Sequence, residues 1–200
     1  ELAAGRDLPG SLGVEPGSYG LVTLHRPSNV DSRSILAGIV GSLTRISRRL
    51  KLVFPVHPRT LKQLEAFDLL GQLRAEQGIL LAEPLGYLDF LCLMRSAKMV
   101  LSDSGGIQEE TTYLRIPCLT LRENTERPET IEQGTNLLVG SDPELICREA
   151  EVIIEGRGKT GGELEFWDGK VARRIAGVLK ERLRWIKAPV EERMAVREAR

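Results

Sequence analysis

The sequence predicts an α/β fold, a doubly wound parallel sheet, on three observations. Short apolar runs near residues 21–24, 52–56, 79–81, 99–101, 118–121 and 136–139 are continuous rather than alternating, as in strands covered on both faces. Stretches with apolar residues at helical spacing separate these runs. Polar and turn-forming residues follow the runs, at the edge where an open α/β sheet gathers its ligands.

The first 20 residues carry Gly5, Pro9, Gly10, Gly13, Pro16, Gly17 and Gly20, a turn-rich composition read as a linker or the end of a preceding element. A chain that begins at Glu1 without a Met is expected to be a piece of a longer protein. One domain is expected over 21–187. Its first helix, 32–50, places Ile35, Leu36, Ile39, Val40, Leu43, Ile46 and Leu50 on one face, with Arg33, Arg45, Arg48 and Arg49 away from it. Further helices are expected at 58–70, 88–96 and 106–114, with a short one from 128 and two more at 143–155 and 167–186. The last of these repeats the pattern with Val171, Ile175, Val178, Leu179, Leu183 and Ile186. A charged tail, 188–200, closes the chain.

Composition narrows the function classes. Twenty-eight basic and 28 acidic residues give a formal charge of zero, which leaves no basic excess for nucleic acid. No apolar run reaches membrane-spanning length, and no charged-then-apolar leader is present. The three cysteines, 92, 118 and 147, are odd in number, widely spaced and set in apolar surroundings. They read as reduced core thiols and point to the cytoplasm.

The stretch from Lys98 to Glu110 organises the rest. An apolar run leads into Ser102, Asp103, Ser104 and Gly105, residue types that turn a chain and cap a helix, and Gly106 clears side chains from the approach. A helix starting there aims free N–H groups and the positive end of its dipole above the strand, which suits a phosphate. Glu109 and Glu110 follow within the first turns, placed to accept hydrogen bonds from sugar hydroxyls. On this stretch alone an ordinary capped corner and a nucleotide cradle are equally good readings.

The other strand ends tip the balance. His25 and His57, the only histidines in the chain, both fall on this edge, and Arg26, Arg59, Arg122 and Arg127 gather on the same rim. Arg122 is the first choice among them, because it ends a strand beside the one feeding the glycine turn. Other signals are absent. Gly158-Lys159-Thr160 lacks the earlier glycine of a P-loop, having Ile153 there, and no G-x-G-x-x-G fingerprint supports NAD or FAD. Asp103 has no second carboxylate two residues away, so it reads as a turn or capping residue rather than a metal ligand. The expectation is a nucleotide site without metal or cofactor.

The blocks Val22 to Asn29 (VTLHRPSN), Pro55-Val56-His57, Ser102 to Glu110 (SDSGGIQEE) and Arg122 to Glu129 (RENTERPE), in this order, resemble the non-hydrolysing UDP-N-acetylglucosamine 2-epimerases. The resemblance runs from Leu21 to Val139, with a looser match through Asp168 to Ala172. It implies a Rossmann-like domain forming the C-terminal half of a GT-B two-domain fold. It further implies interconversion of UDP-GlcNAc and UDP-ManNAc by elimination and re-addition of UDP, in service of cell-surface polysaccharide biosynthesis. The catalytic carboxylates would lie in an N-terminal domain outside this chain, so the chain alone would be inactive; the full-length protein is expected to be a homodimer. Carried over by position, Ser104, Gly105 and Gly106 would hold the diphosphate, Glu110 the ribose, and Arg26 and Arg122 other parts of the nucleotide sugar. His25 corresponds to the active-site histidine and His57 to one that contacts a second, regulatory UDP-GlcNAc in bacterial members. Pro27 and Ser28 depart from the Arg and Glu that many members carry. Two other readings stand beside this one: the donor-binding domain of a GT-B glycosyltransferase, and a non-catalytic nucleotide-sugar-binding module.

Overall fold

A computed structural model describes residues 8–162 and 164–187. The chain divides into two compact units, Glu1–Gly162 and Glu163–Arg200. The first unit contains six parallel strands: β1 (Tyr19–Thr23), β2 (Lys51–Pro55), β3 (Ile79–Ala82), β4 (Met99–Ser102), β5 (Cys118–Thr120) and β6 (Asn136–Leu138). They lie in the order β3-β2-β1-β4-β5-β6, so the winding direction reverses between β1 and β4.

Both faces of this sheet are covered, which explains the continuous apolar runs. Along β1, Tyr19 and Leu21 face one core cluster, while Val22 faces the other together with Leu24 just beyond the strand. In β2, Val53 points one way and Leu52 and Phe54 the other; in β4, Val100 opposes Met99 and Leu101. A strand with two buried faces has no polar side to alternate with.

The helices of this unit are α1 (Leu8–Ser11), α2 (Pro27–Val30), α3 (Arg33–Ser47), α4 (Pro58–Ala66), α5 (Leu70–Ala75), α6 (Tyr87–Ser96), α7 (Gly105–Leu114), α8 (Pro128–Glu132) and α9 (Pro143–Ile154). On α3, Leu36, Ile39, Val40, Leu43 and Ile46 enter the larger cluster, as the periodicity predicts, and Leu145, Ile146, Ala150 and Ile153 of α9 join them. Leu93 and Met94 on α6 and Ile107 on α7 are buried on the opposite side. Leu8, Leu12 and Val14 from the glycine- and proline-rich leading segment pack onto that same face.

Three local differences from the sequence reading have simple causes. The single helix expected over 58–70 is two helices, broken where Asp68 adopts a left-handed φ of 60°. The loop after β1 contains the turn of helix α2, begun by Pro27, whose fixed φ suits a first helical position. The third difference lies in the second unit, where the last helix, α10, spans Val171–Lys187 rather than starting at 167. Gly169 has a φ of 73° just before it, and Asp168 accepts a hydrogen bond from the Lys170 backbone and pairs with Arg174. The tail expected at 188–200 lies outside the described residues. Among the described residues no helix is long and apolar enough to cross a membrane.

Candidate functional site

The C-terminal ends of β1, β4 and β5 lie side by side where the winding reverses, and His25, Arg26, Ser104, Gly105, Gly106 and Arg122 follow them, while His57 follows β2. β4 ends at Ser102, whose hydroxyl accepts a hydrogen bond from the Ser104 backbone N–H at 3.0 Å, forming a tight side-chain turn. α7 then begins at Gly105 with Ser104 as its N-cap, and no side chain caps the helix. The first N–H groups of a ten-residue helix are therefore left for an anion.

Asp103 is the correction to the sequence reading. It does not cap α7; it is fully buried and its carboxylate holds the loop after β1. Oδ2 accepts from the Arg26 backbone N–H at 2.9 Å and from Asn29 Nδ2 at 3.1 Å, and the His25 backbone N–H reaches both oxygens. The His25 ring nitrogen Nδ1 stands 3.2 Å from Oδ1. Arg26 Nε returns a hydrogen bond to the Asp103 carbonyl, and buried Asn29 also donates to the Leu121 carbonyl at 2.9 Å. One carboxylate and one carboxamide thus tie together the loops after β1, β4 and β5. Neither residue was selected as a site residue from sequence, since their partners are 74 to 92 positions away.

α7 is held from behind by a second buried network. Thr120 donates to Asn136 Oδ1 at 3.0 Å, and Asn136 Nδ2 donates to the Gln108 carbonyl at 2.8 Å and to Thr112 Oγ1 at 2.9 Å. Gln108 in turn accepts from Thr125 Oγ1 at 2.5 Å, anchoring the loop between β5 and α8. Fully satisfied polar groups of this kind set helix and loop in one arrangement.

That loop carries the arginines. Arg122 is buried and forms a bidentate pair with Glu126, with nitrogen–oxygen distances of 2.9 and 2.7 Å. The guanidinium pulls the Glu126 carboxyl down to about 2. Arg127 pairs with Glu109 at 3.0 Å, and its guanidinium lies against Gly105. A cavity of about 300 Å³ opens beside this cluster, lined in part by Arg26, Asn29, Arg122 and Asn124. Arg59, the other rim cation of the sequence reading, is committed to Asp31 through two hydrogen bonds.

Glu110 follows on α7. Burial pushes its carboxyl above the usual carboxylate range, Glu109 adds to this, and a hydrogen bond from Tyr87 opposes it. His57 is the N-cap of α4: its Nδ1 accepts from the Arg59 backbone N–H at 3.1 Å. The two histidine rings are neighbours, with centroids 5.6 Å apart. Cys92 and Cys118 are buried, Cys147 is half-buried and none of the three forms a disulfide; burial pushes Cys118 up to about 11. Among the described residues no group of three or more acidic, histidine or cysteine side chains could hold a metal ion.

Comparison with known proteins places this geometry. The sequence profile of the family described as UDP-N-acetylglucosamine 2-epimerase matches residues 6–180. The UDP-N-acetylglucosamine 2-epimerase of Methanocaldococcus jannaschii is 42% identical over 163 residues, covering 80% of this chain and 44% of that protein. A structure of the M. jannaschii enzyme in complex with UDP-GlcNAc and UDP superposes with a TM-score of 0.80 at 38% identity, covering 90% of this chain and 50% of that one. The Neisseria meningitidis enzyme bound to UDP-GlcNAc gives a TM-score of 0.74 at 29% identity, over 89% of this chain and 49% of that one. The chain spans about half the length of the relatives it matches. With four motif blocks in order, a matching profile and the same sheet, the chain belongs to the UDP-N-acetylglucosamine 2-epimerase family.

Proposed function

We propose that this chain is the UDP-binding half of a UDP-GlcNAc 2-epimerase and that turnover requires an N-terminal domain carrying the catalytic carboxylates. The observation that carries this reading is the uncapped N-terminus of α7 at the β1/β4 reversal, with His25, Arg26 and Arg122 on the adjoining strand ends. Epimerisation by elimination removes the sugar C2 proton and breaks the C1–O bond, so the bonding pair leaves with UDP. Negative charge then grows on the β-phosphate, and prearranged N–H dipoles with a guanidinium stabilise it without reorganising at the moment of reaction.

In this scheme Ser104, Gly105 and Gly106 receive the diphosphate and Arg122 supplies positive charge. Glu110 accepts from the ribose hydroxyls in place of Tyr87, and His25 stands at the departing β-phosphate. Arg26 contacts the sugar nucleotide from the loop it shares with His25. His57 belongs to a second UDP-GlcNAc site next to the first, and the full-length protein acts as a homodimer in the cytoplasm, consistent with three cysteines outside any disulfide. Re-addition then delivers a proton to the opposite face of C2 while the UDP oxygen re-forms the bond to C1, which yields the epimer.

The test is incubation of the full-length protein with UDP-GlcNAc alone. Formation of UDP-ManNAc with no acceptor present is the expected result. A strict requirement for an acceptor would replace this reading with that of a glycosyltransferase donor domain, and tight UDP binding without turnover would leave a binding module.

A further inference from the structure

The two histidines face opposite kinds of partner through the same ring nitrogen. His57 Nδ1 accepts a hydrogen bond from the Arg59 backbone N–H at 3.1 Å, so the hydrogen of the neutral ring sits on Nε2. His25 Nδ1 lies 3.2 Å from Asp103 Oδ1, an oxygen that can only accept while the carboxylate also receives two backbone N–H groups and the Asn29 amide. The hydrogen of the neutral His25 ring therefore sits on Nδ1. Its Nε2 has no hydrogen-bond partner among the described residues.

We propose that Asp103 is a positioning residue that holds His25 in the Nδ1–H tautomer, opposite to that of its neighbour His57, and so keeps Nε2 available to the leaving group. Deepening the epimerase reading, this inference rests on it for the role of Nε2. With the ring neutral, Nε2 offers a lone pair; with the ring protonated, it offers an N–H to the phosphate oxygen that takes up charge, while Asp103 supports the imidazolium. In the elimination Nε2–H donates to the β-phosphate oxygen that takes the C1–O bonding pair, and in re-addition that oxygen returns the pair to C1 and gives up the hydrogen bond. A ring free to take the Nε2–H tautomer would need rotation or proton exchange before its Nδ1 could serve in that way, and Nδ1 faces away into Asp103.

Asp103→Asn separates the alternatives because of where its amide must point. The Oδ2 position faces three donors, the His25 and Arg26 N–H groups and the Asn29 amide, so the carboxamide oxygen belongs there. Its NH2 group then occupies the Oδ1 position and faces His25 Nδ1, which must accept. The ring flips to Nε2–H.

Imidazole nitrogen NMR of the isotope-labelled chain under alkaline conditions reads this directly, since the chain has only two histidines. His57→Gln assigns the signals. The expected wild-type spectrum shows His25 with Nδ1 protonated and His57 with Nε2 protonated. Asp103→Asn is expected to invert the His25 pattern and leave His57, the internal control of folding, unchanged. In the full-length enzyme it should lower kcat by at least about tenfold, with KM for UDP-GlcNAc changed by about twofold or less. A wild-type His25 found as Nε2–H overturns the proposal, and that measurement stands even if the variant fails to fold. So does an inverted tautomer with unchanged kcat. An inactive wild-type full-length protein would strike instead at the epimerase reading, whereas the tautomer spectra judge the Asp103 contact separately.

Discussion

A guanidinium nitrogen of Arg127 lies 2.9 Å from the point where a Cβ on Gly105 would stand. Gly105 is thus glycine because a cation occupies its side-chain space at the start of α7, and the same nitrogen cluster is held by Glu109 and Glu126. Gly105→Ala would push aside the far end of a flexible side chain, so melting temperature should stay within about 1–2 °C of wild type. UDP affinity, measured by calorimetry, should fall several-fold as Arg127 leaves the turn. Gly106 has nothing within 4 Å of its Cβ position, so Gly106→Ala should also fold normally. A loss of UDP binding in that variant would report the ligand's own close approach.

Arg122 and Glu110 should separate by ligand. Arg122→Ala is expected to weaken both UDP and inorganic pyrophosphate by roughly tenfold or more, the cost of one charge-assisted hydrogen bond or two. Glu110→Ala should weaken UDP by a similar factor and leave pyrophosphate within about twofold, because only UDP carries a ribose. Equal losses on the two ligands would identify Glu110 as a structural residue of α7.

The pH dependence follows from the direction of two shifts. Burial raises the Glu110 carboxyl, so acidification protonates it before an ordinary glutamate, near 4.3. A protonated Glu110 loses acceptor capacity, and UDP affinity should therefore decline from a higher pH in the wild type than in Glu110→Gln, which lacks this group. For stability the sign is the reverse: the folded state favours protonated Glu110, so acidification through that range relieves a small penalty. Glu126 acts oppositely. Its carboxyl is held at about 2 by Arg122, so the stabilisation from their pair is present above the normal glutamate range and is lost as pH falls towards about 2. Thermal melts of wild type and Glu126→Gln across this range should converge at the acidic end.

Asn29→Ala tests the tie between the loops. It removes donors to Asp103 and to the Leu121 carbonyl, both buried, and should cost about 2 kcal/mol in denaturant unfolding. That corresponds to roughly 4–8 °C in melting temperature for a chain of this size.

His57 carries a structural role whatever else it does. His57→Ala removes the N-cap of α4 and should cost about 1 kcal/mol, with most of it recovered in His57→Asn. A regulatory site for UDP-GlcNAc would show as altered dependence of the full-length enzyme's rate on UDP-GlcNAc in both variants. If only His57→Ala differs, the cap accounts for the residue.

The fold was largely legible from local pattern. Continuous apolar runs with helices between them predicted a parallel doubly wound sheet, and the six strands match those runs within a few residues. The failures were at short elements. The four-residue helix α2 and the break at Asp68 carry no periodicity of their own, since a single turn is too short to show one and a left-handed residue depends on its surroundings. Of the candidate site, the glycine turn, the histidines and the arginines could be proposed from sequence because their residue types suit phosphate and proton chemistry. Asp103, Asn29 and Asn136 were not, because a buried hydrogen-bond acceptor or donor is defined by what it faces.

By itself the sequence determined which elements form and which chemistry-bearing side chains stand at strand ends, both consequences of spacing along the chain. Only the tertiary structure decided that β1 and β4 are neighbours. That pairing carries Asp103 under the loop of His25, 78 positions away. It turns a residue that looked like a helix cap into a buried carboxylate beside the His25 ring. Hydrogen bonds between distant residues are made when strands pair, and no local pattern encodes their geometry.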